Sequence, residues 1–284
     1  MNIFRVTIEH ILLYGSETWI LDAKESILIE RIDLWAIKKI FGLPPTTPTP
    51  AVRYFTGTMF TDILIKKKQL VYLQHLLQKY NGYWPKEALA TQKEEEFGWW
   101  KNIQKTLEQW DLEQQWDVIA SKSKAAWERD VETAVEKENR NKLIDECHTK
   151  QRGTFRAKTK TKTVIERIKM DNYKRIPLPL ILQLTTIQTR ALIMGRYGML
   201  DCKSNFSMGY GGKGCVECGA DDNEAHRIND CPKYSKINFY SQAEKIDFEK
   251  IYSDELSDVI TVVNANLTIW DLEYGKNIVK QGSN

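Results

Sequence analysis

Three cysteines and one histidine lie close together towards the carboxyl end of the chain. Cys215, Cys218, His226 and Cys231 follow the pattern C-x2-C-x7-H-x4-C. Thiolate and imidazole groups suit Zn²⁺, and four of them complete a tetrahedral shell. Because such a shell leaves no position open for water or substrate, the pattern predicts a structural Zn²⁺ site rather than a catalytic one.

The sequence around these residues is suited to bringing them together. Two cysteines separated by two residues can share one tight turn, and Gly219 lets the backbone reverse direction after the second. The last two ligands are spaced so that a short helical turn can present both, and Pro232 is expected to stop that turn. The acidic pair Asp221 and Asp222 lies inside this loop, where we expect it at the surface and not as a two-metal catalytic pair.

Length, composition and the remaining cysteines narrow the class of protein. The chain has 284 residues, five Cys, four His, 42% hydrophobic residues and a formal net charge of +3. An odd number of cysteines in a long chain argues against a disulfide framework, and Cys147 with His148, and Cys202, are expected to be packing residues or spare thiols. The sequence has no apolar run of transmembrane length and does not begin like a signal peptide, so we expect an intracellular protein, nuclear or cytoplasmic, that does not engage a membrane.

One stretch of the chain is strongly basic. Residues 150–175 carry ten Lys or Arg against Glu166 and Asp171, a net charge of +8, so that the rest of the chain sums to −5. A segment with this charge and little apolar content stays solvated and attracts polyanions such as RNA or DNA; a plain charged linker is the alternative. The predicted nucleic-acid-binding residues are Lys150, Arg152, Arg156, Lys158, Lys160, Lys162, Arg167, Lys169, Lys174 and Arg175.

Apolar residues at helical spacing predict a mainly α-helical fold in the first part of the chain. Asp22 and Glu25 form a capping-box-like start for a helix that Gly42 ends, and a second helix is expected to begin near Thr61. The apolar markers are Leu28, Ile32, Trp35 and Ile40 in the first helix, and Ile63, Leu70, Leu73, Leu77 and Tyr80 in the second.

The rest of the chain is also predicted to be helical. The Trp-rich region 97–146 predicts one or two amphipathic helices whose tryptophans lie in a core, with a platform for stacking bases as the alternative. A helix is expected over 185–197, before the metal segment, and one or two more in the last fifty residues. The apolar markers are Trp100, Leu107, Trp110 and Trp127 in the first region, and Ile251, Leu256, Ile260, Val263 and Trp270 in the last.

Two motifs together resemble one protein family. Residues 11–19, Ile-Leu-Leu-Tyr-Gly-Ser-Glu-Thr-Trp, are similar to the LLYGSETW signature that follows the polymerase core of non-LTR (LINE-like) retrotransposon reverse transcriptases. Residues 38–44 and 57–77 resemble the thumb that comes next. Residues 184–196 and the Cys-His segment resemble the family's carboxyl-terminal zinc-binding domain. The signature residues are Tyr14, Gly15, Glu17 and Trp19.

The resemblance implies an order of domains and a function. It implies a thumb-like helical unit (1–85), a Trp-rich helical linker (86–149), the basic segment (150–175), a CCHC zinc-binding domain (176–235) and a helical tail (236–284). The family's catalytic aspartates precede its LLYGSETW signature, and no such pair, phosphate loop or endonuclease motif is visible in this sequence. We therefore expect no polymerase activity, and a zinc-stabilised nucleic-acid-binding remnant of a retrotransposon polyprotein, truncated or domesticated.

Two alternatives stay open at this point. A thumb-like unit without its palm exposes an apolar face, so the chain can be a protein-interaction scaffold that binds itself or a partner through Trp19, Trp35 and the stripe 70–77. It can also be a fragment of an active RNA-directed DNA polymerase whose palm lies upstream. Under the nucleic-acid hypothesis, three tyrosines are expected to make contacts beside the basic segment: Tyr197, Tyr210 and Tyr234.

Overall fold

The chain is mainly helical, as its sequence predicts. A computed structural model describes residues 8–45, 47–149, 183–196, 214–235, 245–253 and 255–274. Across these ranges the β pairing is a single antiparallel bridge between Gly214 and Asp221, and none of the helices has both the length and the apolarity of a membrane span. The predicted contact residues of the basic segment, together with Tyr197, Tyr210 and Cys202, lie outside the described residues.

The helices divide between two compact units, formed by residues 1–36 with 58–143 and by residues 37–57 with 144–284. Two of the boundaries between the units fall at residues 36/37 and 143/144, each inside a long helix. The five domain ranges predicted from the sequence stay predictions. In chain order the helices are α1 His10–Leu12, α2 Ala23–Ile40, α3 Thr49–Thr56, α4 Thr61–Leu77, α5 Trp84–Glu94, α6 Gly98–Gln109, α7 Trp116–Ser121, α8 Lys124–Thr149, α9 Thr186–Arg196, α10 Glu224–Asn229, α11 Pro232–Ser235 and α12 Leu256–Tyr274, with 3-10 turns at Ser16–Thr18 and Phe248–Tyr252.

The start and end of α2 are those that the sequence predicts. The backbone N–H of Glu25 donates to Asp22 Oδ1 over 2.8 Å, and the backbone N–H of Asp22 donates to Glu25 Oε2 over 2.9 Å. These two bonds form a reciprocal capping box, which satisfies donors that the first turn of a helix leaves without partners. Beyond the last turn, Gly42 adopts a φ of 60°, a conformation that glycine takes at little cost.

The core of the first unit is built around α4. This helix contacts α5, α6, α7 and the turn Ser16–Thr18. Leu70 and Leu73 on α4 are fully buried, as is Trp127 on α8, whose indole N–H donates to the Leu70 carbonyl oxygen over 2.9 Å. Trp100 and Trp110 are each 5% exposed. The expectation of a core position is therefore confirmed for Trp100, Trp110 and Trp127, whereas Trp116 is half-buried.

The same packing contradicts one expectation about partner surfaces. The stripe 70–77 is buried, since Leu70, Leu73, Leu76 and Leu77 are each exposed by 6% or less. It cannot form an exposed face for self-association, because α4 packs against α6 and α7 and bonds to Trp127 of α8. Tyr80, predicted as part of the same stripe, lies beyond the end of α4 and is 71% exposed.

The signature residues build a turn that packs against α4 and α6 within the first unit. Gly15 has a φ of 69° and lies before the 3-10 turn Ser16–Thr18, while the Tyr14 side chain is 84% exposed. The carbonyl oxygen of Glu17 accepts the indole N–H of Trp99 at 2.9 Å, and that of Trp19 accepts the Gln69 amide at 2.7 Å. In this turn Glu17 and Trp19 therefore contribute backbone acceptors that hold the segment to α4 and α6.

The second unit is organised by α12. This helix contacts α9, α10 and the turn Phe248–Tyr252, and α9 also contacts α3. The buried guanidinium of Arg196 at the end of α9 donates to the carbonyl oxygens of Ile251 at 2.6 Å and Ser253 at 2.9 Å. The helices predicted before the metal segment and in the last fifty residues are thus confirmed, and α12 gives the Cys-His segment a helix to pack against.

Candidate metal centre

The four predicted ligands come together in space. Cys215 Sγ lies 3.6 Å from Cys231 Sγ, and Cys218 Sγ lies 3.3 Å from His226 Nε2. All four ligand atoms lie within 4.8 Å of one another. Metal bonds of about 2.3 Å to sulfur and 2.0 Å to nitrogen place neighbouring ligand atoms of a tetrahedral shell roughly 3.5–3.8 Å apart. The residues therefore fit a single metal ion.

A tight loop holds the first two ligands. The backbone N–H of Gly219 donates to the carbonyl oxygen of Cys215 at 2.8 Å, and the N–H of Cys215 donates to that of Ala220 at 2.6 Å. Gly219 has a φ of 75°, so the prediction that a glycine reverses the chain here is confirmed. A side chain at Gly214, just before Cys215, would place its Cβ 2.9 Å from the Gly219 carbonyl oxygen, so the start of the loop also requires glycine.

A short capped helix presents the third ligand. Asn223 precedes α10, and its side-chain oxygen accepts the backbone N–H of His226 at 2.8 Å. This is an N-cap bond to the third residue of the helix, and it fixes the backbone from which the imidazole extends. The N–H of Cys231 then donates to the His226 carbonyl oxygen at 2.9 Å, which brings the fourth ligand back to the cluster.

The prediction that Pro232 stops this helical turn is wrong. α10 ends at Asn229, and Pro232 is instead the first residue of α11. Proline is tolerated there because the first residue of a helix has no intrahelical acceptor for its N–H.

The acidic pair of the loop divides between surface and interior. Asp221 is exposed as expected, but Asp222 is 2% exposed, so the expectation that both are surface residues is wrong. Arg227 explains the difference, because its Nε and Nη2 donate to the two carboxylate oxygens of Asp222 at 2.6 and 2.8 Å. A bidentate pair of this kind is strong and directional, and it ties the loop to α10.

The environment of the cluster lowers the pKa of one of its thiols and raises the pKa of another. Burial raises the pKa of Cys215, but hydrogen bonds to its sulfur from the backbone of Glu217, from His226 and from the backbone of Cys218 outweigh it and lower that pKa to about 7. Burial raises the pKa of Cys231, and the neighbouring Cys215 adds to the increase. Since a metal binds the thiolate, Cys215 is the ligand of this pair that is more readily in the form a metal binds.

The fourth ligand and the residues after it are packed into the second unit. Cys231 is 1% exposed and Tyr234 is 4% exposed. The expectation that Tyr234 contacts nucleic acid is therefore wrong, because its ring lies in the interior. Asn229 on α10 exchanges two hydrogen bonds with the backbone of Ile246, at 2.7 and 2.8 Å, which anchors the cluster to the chain that leads to α12.

Three residues that hold the cluster in place are not predicted from the sequence: Asp222, Asn223 and Arg227. Asn223 carries a recognisable signal, since an Asn immediately before a short Glu-Ala-His-Arg helix is a favoured N-cap. The Asp222–Arg227 pair carries none, because its burial depends on packing.

The cysteine of α8 is not part of the cluster. Cys147 is 2% exposed, as expected for a packing residue. In the described part of the chain the Cys-His cluster is the one group of His, Cys and acidic residues that can hold a metal.

Comparisons of the chain with protein-family models, with curated proteins and with solved structures find no match.

Proposed function

We propose that this chain is a non-catalytic nucleic-acid-binding module in which Zn²⁺ stabilises the segment 214–235. In this proposal the ion joins Cys215, Cys218, His226 and Cys231. The basic segment 150–175 contacts the phosphates of RNA or DNA. The resemblance to LINE-like reverse transcriptases favours a remnant of a retrotransposon polyprotein, with the element's own transcript or its target site as the nucleic acid.

The observation that carries the proposal is the closeness of the four donor atoms, all within 4.8 Å. Three thiols and one imidazole favour Zn²⁺ over harder ions such as Mg²⁺ or Ca²⁺, which prefer oxygen ligands. Four protein ligands fill the tetrahedron, so the ion would contribute folding energy rather than activate water. These features support a structural metal in a binding module better than they support a metalloenzyme.

The charge of the basic segment supports the choice of partner. The segment has a net charge of +8, whereas the rest of the chain has a net charge of −5. It ends about 40 residues before the first cysteine of the cluster. Each phosphate that a cation neutralises releases condensed counterions, so binding should weaken as salt rises. If five to seven of the ten cations contact a single strand, log K should fall with log salt at a slope of roughly −3.5 to −5.

The first test measures this slope with a fluorescein-labelled single-stranded RNA and the matching DNA, by anisotropy over a series of salt concentrations. Replacing Lys158, Lys160 and Lys162 by Gln should make the slope less negative by about 2. A matched control replaces Lys101, Lys105 and Lys137, three exposed lysines of the first unit, and should leave the slope unchanged. A salt-independent affinity, or equal effects of the two triple variants, would contradict the proposal.

The second test addresses the metal. The purified protein should contain about one Zn per chain by elemental analysis, and Cys218→Ser should lose most of it, because three ligands hold the ion far less well than four. Cys202→Ser is the matched control, since Cys202 lies outside the C-x2-C-x7-H-x4-C pattern. If Cys218→Ser keeps the zinc content and protease resistance of the parent, the assigned ligand set is wrong.

A further inference from the structure

Exposed large apolar side chains are concentrated in one part of the chain. Of the thirteen such side chains among the described residues, nine lie between Ile8 and Ile40. Single exposed apolar residues are ordinary in soluble proteins, but a contiguous row on one face of a helix marks a surface that binds something.

The most regular part of this surface lies on α2. Leu28, Ile32 and Trp35 are 58%, 45% and 63% exposed. Together with Glu25 and Lys39, both exposed, they form a row whose spacings are three, four, three and four residues. This is the spacing of the a and d positions at the seam of a two-stranded coiled coil. We call these five residues the α2 stripe.

The charges at the two ends of the α2 stripe identify the partner. The row begins with the acidic Glu25 and ends with the basic Lys39. A second α2 packed antiparallel against the first would bring Glu25 of each copy towards Lys39 of the other, whereas a parallel arrangement would pair like charges. The stripe is therefore complementary to itself under a two-fold rotation, which is the requirement for an isologous dimer interface.

We propose that the α2 stripe is the interface of a homodimer, in which α2 of one copy packs antiparallel on α2 of a second copy. Ile32 lies near the two-fold axis, and Leu28 and Trp35 lie on either side of it. Trp35 supplies the large aromatic anchor that is common at the centre of protein interfaces. This dimerisation does not rest on nucleic-acid binding and can be tested without any nucleic acid.

The test is the mass of the full chain in solution, measured by sedimentation equilibrium over a dilution series. The parent protein should approach twice the chain mass of 33.1 kDa as concentration rises. Trp35→Asp and Ile32→Asp should each raise the dimer dissociation constant by tenfold or more, since each places a charge in the apolar centre of the seam. Trp84→Asp is the matched control: Trp84 is 86% exposed on α5, and its replacement should leave the dimer intact.

Charge exchange tests the antiparallel direction. Lys39→Glu should weaken the dimer by placing two carboxylates together, and adding Glu25→Lys in the same chain should restore it. Glu25→Ala, which removes the capping carboxylate as Glu25→Lys does but adds no positive charge, is the control for the helix start, and in the Lys39→Glu chain it should restore the dimer less than Glu25→Lys does. Circular dichroism checks that every variant stays helical. A parent protein that stays monomeric up to its solubility limit, or a dimer that survives Trp35→Asp, overturns the proposal; failure of the exchange to restore the dimer overturns the antiparallel arrangement.

Discussion

At the scale of single residues, two cysteines of the same cluster have pKa values shifted in opposite directions. Cys215 and Cys231 have sulfurs 3.6 Å apart, yet hydrogen bonds lower the pKa of Cys215 to about 7 while burial raises the pKa of Cys231. A thiol with a lowered pKa is a thiolate over a wider range of pH and is therefore available to a metal, or to an electrophile, nearer to neutrality.

The cap of α10 gives a prediction at this scale. Asn223→Ala removes the acceptor of the His226 N–H and should destabilise the metal segment by about 1 kcal/mol. Metal affinity, measured by competition with a chelator, should fall by roughly fivefold, because the loss is coupled to metal binding. Asn223→Asp keeps an acceptor at the same position and serves as the control. An alanine variant with the affinity of the parent would show that the cap does not position His226.

At the scale of elements, α4 is the helix on which the first unit depends. The turn Ser16–Thr18, α5, α6 and α7 all contact it, and Gln74 on α4 donates to the carbonyl oxygens of Ile119 at 3.2 Å and Lys122 at 3.0 Å. These bonds fix the end of α7 and the connection to α8. Because α4 is enclosed on several sides, a change in its contacts should affect the unit as a whole rather than one helix.

Trp127 tests this dependence. Its side chain is fully buried and bonded to the Leu70 carbonyl oxygen, so Trp127→Ala should lower the free energy of unfolding by about 3–5 kcal/mol. Trp84→Ala, at a position 86% exposed, should change it by less than about 0.5 kcal/mol. Urea denaturation followed by circular dichroism measures both. Similar small effects for the two variants would argue against a packed core around Trp127.

At the scale of the whole molecule, each of the two units has its own source of stability. The first unit has an apolar core that includes Leu73 and Trp127, both fully buried. In the second, the segment 214–235 combines short helical and loop elements with the four candidate ligands, and in the proposed function a metal ion joins these ligands and stabilises the segment. Small metal-bound modules of this size draw on the order of 10 kcal/mol of apparent binding energy from a structural zinc ion.

Removal of the metal should therefore destabilise the segment 214–235 and leave the core of the first unit stable. Treatment with a chelator should greatly accelerate amide hydrogen exchange over 214–235, while the amides of α4 and α8 within the first unit keep their protection. Mass spectrometry with and without chelator measures the exchange of both regions in one experiment. Adding Zn²⁺ back should restore the protection of 214–235. Equal deprotection of α4 would contradict an independent core, and no change over 214–235 would contradict a metal-dependent fold there.

Local chemistry explains what the sequence could predict by itself. The ligand set follows from residue types and spacing, and the structure brings Cys215, Cys218, His226 and Cys231 together. The capping box at Asp22 and the reversal at Gly219 follow from interactions over a few residues, which spacing alone specifies. The helical class follows from apolar periodicity, a property of each segment.

Tertiary packing decided the rest, because burial depends on what lies opposite a side chain and not on its own neighbours in sequence. The apolar rows of α2 and α4 look equivalent in the sequence, yet Trp35 is 63% exposed while Leu73 is fully buried. Asp222 and Tyr234, both expected at the surface, are interior, since Arg227 neutralises the carboxylate and the second unit encloses the ring. Spacing thus determined which atoms can hold a metal, and only the fold determined which surfaces remain for a partner.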